Sequence, residues 1–200
     1  MFMLKAAIID DGIDASQFKN VKSWVIKKDL SIENENLISV KDNHACTCLK
    51  IIQKYCDMSD VFWHSIKILN DDTKRGNIRQ FIEALRLCEQ LEVKIIHLSI
   101  GTRSYSDFNL IEKSIEALCD KGTIIIAAAC NEGTVAYPAC MNGVIGVKCD
   151  FSATDQQYLY NCNTLDNISF SASARHILRD RGKLRLSLQS NSYAAPLITS

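Results

Sequence analysis

The sequence predicts an α/β protein: a three-layer α/β/α sandwich built on a mainly parallel sheet. Apolar, β-branched runs alternate with amphipathic stretches along the chain. Several of these runs are apolar almost throughout, as strands covered on both faces must be. The stretches between them have the length and period of helices with one buried face. Strand, helix and strand in succession imply right-handed crossovers, with helices on both sides of the sheet.

The strands are expected at residues 4–9, 21–26, 62–69, 93–100, 123–128 and 144–149. Between the third and fourth runs lies "NIRQFIEALRLCEQL", where Ile78, Phe81, Ile82, Leu85, Cys88 and Leu91 recur at helical spacing. The next crossover, "DFNLIEKSIEALCDKG", repeats the pattern with Phe108, Ile111, Ile115 and Leu118. Asp107 is placed to cap that helix, and Gly122 to stop it. Residues 151–189 are less regular and are expected to hold loops or a β-ribbon. There is no internal repeat or clear linker, so residues 1–200 are expected to form a single domain.

Composition narrows the function. Apolar residues make up 47% and charged residues 23% of 200, a globular balance. Lys+Arg and Asp+Glu number 23 each, without the basic excess of nucleic-acid or membrane-surface binders. The local cluster "RHILRDRGKLR" reads as a solvated hairpin or loop. No apolar run approaches the length needed to cross a bilayer, and "MFMLKAAIIDDGID" has no signal-peptide pattern. The nine cysteines are odd in number and irregular in spacing, without a C-x-x-C pair. They point to reduced thiols in a cytoplasmic protein.

Sites in open α/β sheets form beyond the carboxyl ends of strands. That rule singles out Asp10 and Asp11, then Ser99, Ile100 and Gly101, then residues 131–133. It also bears on "DNHACTCLKII". If that segment is helical, His44 and Cys48 share one face and Cys46 points away. Two ligands fall short of the three or four that zinc takes from a protein, so no metal is expected. The pair in "IIDDG" resembles that of phospho-accepting receiver domains, with Asp71 as acceptor. Against this, "ACNEG" stands where such a domain needs lysine, and the chain is longer than such domains.

Read together, the strand-end segments have a different resemblance. "IIDDGID", "DNHACTCLKII", "IIHLSIGT", "GTIIIAAACNEGTVAYPA" and "SNSYAAP" are similar, in this order, to five blocks of the subtilisin-like serine peptidases. The resemblance covers nearly the whole chain. It implies a subtilisin-like fold and a serine endopeptidase with Asp10, His44 and Ser192 as triad and Asn131 in the oxyanion hole. It further implies an extended peptide substrate paired along Ser99, Ile100 and Gly101, beside Ala128, Ala129 and Cys130. No cofactor is implied. A variant of the same fold that binds peptides without turnover is the alternative.

Departures from the family pattern are Asp11 for Ser/Thr, Thr47 for a second histidine, Ser190 and Asn191 for Gly-Thr, and Cys130 for glycine. The Ser192 helix has room for about two turns before Ser200, so the usual C-terminal part is expected to be lacking. With no propeptide pattern before Leu4, the expectation is a cytoplasmic subtilase that trims a peptide or precursor.

Overall fold

The computed structural model describes residues 3–34, 43–162, 164–180 and 182–200. Asp42, which opens "DNHACTCLKII", and Arg181 of the basic cluster lie outside them. Strands β1 (Leu4–Asp10), β2 (Val21–Ile26) and β3 (Ile32–Asn34) precede helix α1 (His44–Tyr55). Then come β4 (Val61–Lys67), α2 (Ile78–Gln90), β5 (Ile95–Leu98), α3 (Phe108–Asp120), β6 (Ile124–Ala128) and β7 (Val144–Cys149). The chain ends with β8 (Tyr158–Tyr160), β9 (Phe170–Ala172), the hairpin β10 (Ile177–Asp180) and β11 (Lys183–Leu186), and α4 (Asn191–Thr199).

The main sheet has the order β3-β2-β4-β1-β5-β6-β7-β9-β8. Only its outer pairs, β2 with β3 and β8 with β9, run antiparallel. The two-residue period of the strands sorts their side chains between two cores. Ala7, Ile9, Ile96, Leu98, Ile125 and Ala127 pack against α2 and α3 on one side. Ala6 and Ile8 meet α1 on the other, and Ile126 and Ala128 meet α4. The three-layer, mainly parallel architecture read from the sequence is the one observed.

Differences lie at element ends and have local causes. The expected 62–69 strand stops at Lys67, because the Ile68 and Leu69 N–H groups both turn to the Asp10 carbonyl, at 3.0 and 3.4 Å. The expected 93–100 strand keeps only Ile95–Leu98, which leaves Ser99, Ile100 and Gly101 beyond the ladder. Asp107 does not cap α3. It closes a preceding 3-10 turn, and its carboxylate accepts from Thr102 Oγ1 at 2.9 Å. Gly122 stops that helix as expected, at φ +73°. The irregular stretch 151–189 contains two short β-ribbons, and the basic cluster falls on one of them.

Gly146 in β7 sits under the Ala139 carbonyl oxygen, where an added Cβ would collide, and it would crowd Ile168 Cδ1 at 2.8 Å. Gly146→Ala is therefore expected to lower unfolding free energy by about 1–3 kcal/mol, the usual cost of overpacking. Urea denaturation followed by tryptophan fluorescence measures this; an unchanged midpoint would contradict it.

Candidate active site

Asp10 ends β1, is almost wholly buried, and faces the first residue of α1. Its Oδ2 lies 2.7 Å from His44 Nδ1, and its Oδ1 accepts from the Asp11 N–H at 2.7 Å. Burial pushes the Asp10 carboxyl above its usual range; the bond to His44 offsets part of this, and the nearby Asp11 adds to it. Burial alone would lower the His44 imidazole, and the Asp10 carboxylate bonded to its Nδ1 opposes this and favours the protonated ring.

The start of α1 is fixed by two side chains. Asn43 caps the helix, its Oδ1 accepting from Cys46 N–H at 3.0 Å while its amide donates to the Gly12 carbonyl. Asp11 reaches the same end, accepting from His44 N–H at 3.2 Å and Ala45 N–H at 3.0 Å. A carboxylate here meets both the free donors and the positive end of the helix. Lys74 adds an ion pair to Asp11 at 3.4 Å. The residue that departs from the family's Ser/Thr thus orients the histidine helix.

Cys46 and Cys48 diverge as helical spacing requires. Cys46 packs in the core against β1 and accepts from Asp14 N–H at 3.3 Å. Cys48 Sγ stands 3.9 Å from His44 Nδ1, 3.7 Å from Ser99 Oγ and 3.7 Å from the Ser192 carbonyl oxygen. Burial raises its thiol, so at neutral pH it is S–H. Asp10, His44 and Cys48 together offer oxygen, nitrogen and sulfur within 4.8 Å of one another. The geometry thus adds one candidate metal donor, Asp10, to the pair found by spacing. Binding an ion there would break the Asp10–His44 bond.

Ser192 is the second residue of α4, and the ring of the next residue, Tyr193, lies 5.0 Å from the His44 ring at a 31° tilt. Imidazole and serine residue therefore flank one sulfur atom. Among the described residues, the Ser192 hydroxyl forms no hydrogen bond to the His44 ring. Ser190, which replaces a family glycine, is extended at φ −155° and carries no strain. Asn191, the other departure, ties the turn that carries Ser192 to the sheet. Its Oδ1 accepts from Cys149 N–H at 2.7 Å, and its amide donates to the Ala129 and Cys130 carbonyls at 3.1 and 2.9 Å. Its own N–H donates to Asn131 Oδ1 at 2.9 Å. That bond fixes the Asn131 amide and leaves its NH₂ group for another acceptor.

Two clefts border the first turn of α4, one reaching Tyr193 and the other Ser190 and Asn191. One, of about 990 Å³, is lined by Asp10, His44, Ser99, Ile100, Gly101 and Tyr193 among others. The second, of about 540 Å³, holds Ala129, Cys130, Asn131, Ser190 and Asn191. Ala128 is buried at the end of β6. Among the described residues, the backbone groups of Ile100 and Gly101 pair with no neighbouring strand. Pairing resumes at Thr102, which exchanges bonds of 2.9 and 2.8 Å with Tyr137. Beyond it, an Arg103–Glu132 ion pair joins the rims of the strand and the Asn131 loop. The Cys130 thiol accepts from Thr134 Oγ1 at 3.3 Å, which with the backbone at Glu132 draws it below its usual range. Asp71, the receiver-type candidate, is paired with Lys67 at 2.7 Å on the surface.

Two fully buried histidines beside the site, His97 and His176, were not singled out by the sequence. His176 Nε2 donates to the Tyr193 carbonyl at 2.8 Å, and its Nδ1 accepts from Tyr55 OH at 3.0 Å. A carbonyl can only accept, so this tautomer is fixed. His97, inside β5, is fully buried, and burial together with the nearby His44 pushes its imidazole down to about 3, keeping it neutral. Its signal was its place two residues before Ser99, on the same face of the strand.

Asp11→Ala should lower unfolding free energy by about 1–2 kcal/mol, the cost of a lost helix cap. Lys74→Ala, which removes only a solvent-exposed partner, should cost less than about 0.5 kcal/mol. Paired urea titrations decide this, and equal losses in the two variants would contradict the capping role.

Three solved structures are similar to the chain in fold. The prenylagaramide maturation protease PagA superposes with a TM-score of 0.69 at 16% identity, covering 98% of this chain and 72% of that one. A psychrophilic protease gives 0.74 at 20% identity, with 99% and 75% covered. A lanthipeptide protease gives 0.67 at 15% identity, with 98% and 70% covered. No curated protein sequence matches the chain. The subtilase family matches residues 4–199, nearly the whole length, and this chain belongs to that family.

Proposed function

We propose that the protein is a serine endopeptidase in which Asp10, His44 and Ser192 form the triad and Asn131 supplies an oxyanion donor. The observation that carries this reading is the 2.7 Å Asp10–His44 bond at the carboxyl end of β1, with the ring of Tyr193, the residue after Ser192, packed 5.0 Å from the same imidazole. A serine hydroxyl needs a base to remove its proton. Asp10 on Nδ1 fixes the tautomer that leaves Nε2 free to take it, and stabilises the imidazolium that forms. As Ser192 Oγ bonds to the scissile carbonyl carbon, negative charge builds on the carbonyl oxygen. The Asn131 NH₂ group and the Ser192 N–H, at a helix N-terminus, would meet that charge. His44 then returns the proton to the leaving amine, and water repeats the sequence on the acyl-enzyme.

The unpaired backbone of Ile100 and Gly101 supports an extended peptide substrate added as a strand. The maturation and lanthipeptide proteases among its structural relatives support a role in trimming a peptide precursor. Nine cysteines at irregular spacing support a reducing, cytoplasmic setting. No helix among the described residues is long and apolar enough to cross a membrane. A second reading, a peptide binder without turnover, is favoured by the open Ser192–His44 contact. Such contacts are often long in free enzymes and tighten when substrate binds.

A fluorophosphonate should label wild-type protein at Ser192, and Ser192→Ala should abolish labelling. Well-folded protein that stays unlabelled would support the second reading. Asn131→Ala should reduce kcat by about 10²–10³, the loss typical of one oxyanion donor. Only neutral His44 can act as base, so kcat/KM should rise with pH, with a midpoint set by deprotonation of the ring. Asp10→Asn should move that midpoint to lower pH. A pH–rate profile that Asp10→Asn leaves in place would contradict the coupling.

A further inference from the structure

The helix that carries Ser192 has a gap in its hydrogen bonding. In an α-helix the carbonyl of residue 192 accepts from the N–H of residue 196, and residue 196 is a proline, which has none. A buried carbonyl must find another donor. Two side chains face this one: Ser99 Oγ at 3.2 Å and the weak thiol donor of Cys48 at 3.7 Å. Ser99 Oγ also lies 2.9 Å from His97 Nε2, and His97 Nδ1 lies 2.8 Å from Thr199 Oγ1.

We propose that His97 is a positioning residue for Ser192: its Nε2–H donates to Ser99 Oγ and so directs the one Ser99 hydroxyl proton at the Ser192 carbonyl. This rests on the peptidase reading given above. The assignment follows from counting protons. If Ser99 donated to His97 instead, the Ser192 carbonyl would keep only the distant thiol. With Nε2 protonated, Nδ1 must accept, and Thr199 is the hydroxyl facing it. Thr199 Oγ1 is also 3.1 Å from the Ala195 carbonyl. That carbonyl already faces the Thr199 N–H one turn on, as in any α-helix, so the hydroxyl is free to serve His97. The chain Thr199 to His97 to Ser99 to Ser192 then runs in one direction, with every acceptor served. One neutral imidazole, fully buried in β5, thereby ties the last turn of α4 and its first turn to the same strand.

The test uses two variants of the full chain that reach to different depths. His97→Gln places an amide N–H near the Nε2 position, whereas His97→Asn reaches only as far as Nδ1. The measurements are the rate and saturation constant for labelling of Ser192 by a peptidyl fluorophosphonate, and the ¹³C shift of the Ser192 carbonyl. His97→Asn should slow the labelling step about tenfold with its saturation constant unchanged, and His97→Gln should stay within about threefold of wild type. The Ser192 carbonyl shift should move in His97→Asn and hold in His97→Gln. Equal rates for the two variants, with an unmoved carbonyl shift, would overturn the proposal. If wild-type protein is not labelled at all, the peptidase reading fails, and the positioning role is decided by the carbonyl shift alone. If His97→Asn does not fold, the ring ¹⁵N shifts of His97 in wild-type protein decide: an Nε2–H tautomer supports the assignment and an Nδ1–H tautomer overturns it.

Discussion

The site depends on a carboxylate at a place where a lone charge could not stay. Asp10 ends the central strand β1 and is buried between the two cores. An unpaired carboxylate there would cost several kcal/mol in lost hydration. Its bond to His44 and the Asp11 N–H at its other oxygen offset that cost. The pairing ties the strand to α1, so the imidazole is placed by the same contact that makes the buried acid tolerable. Asp11 and Asn43 then set the helix end from which the ring projects, the first by charge and the second as a cap.

On the other side of the cleft the turn that carries Ser192 is held just as closely, through different chemistry. Pro196 withholds the helical donor from Ser192, and the sheet supplies a hydroxyl in its place. Asn191 spends its whole side chain on backbone groups at the ends of β6 and β7. Its N–H also orients Asn131. His176 braces the Tyr193 carbonyl. The first turn of α4 is thus fixed from the sheet, from the Asn131 loop and from α1. Rigid support of this kind holds reacting groups in place without reorganisation during reaction.

Much of this was legible in the sequence, for identifiable reasons. Asp10, Ser99 and Asn131 sit where apolar runs end, and the carboxyl ends of parallel strands converge on one rim of the sheet, whereas His44 opens an apolar helical run. The nearness of Cys48 to His44 followed from helical spacing. The role of Asp11 did not, because it depends on how α1 approaches the end of β1 after an intervening segment of many residues. Asp107 looked like a cap and is not one, because the preceding turn is already helical and Thr102 claims its carboxylate. Asn191 gave no signal, since its four partners come from distant parts of the chain. The strands β3 and β8 are exposed and only three residues long, too short to give the sustained apolar runs that marked the others.

The proposed activity requires three side chains, from β1, α1 and α4, to act on a single peptide carbonyl. A crystal structure of the protein treated with a peptidyl boronic acid tests it directly. The account predicts boron bonded to Ser192 Oγ, one boronate oxygen within hydrogen-bond distance of the Asn131 amide, another near His44 Nε2, and the peptide paired with Ile100 and Gly101. A peptide bound along that strand with Ser192 unmodified and turned away from His44 would contradict it.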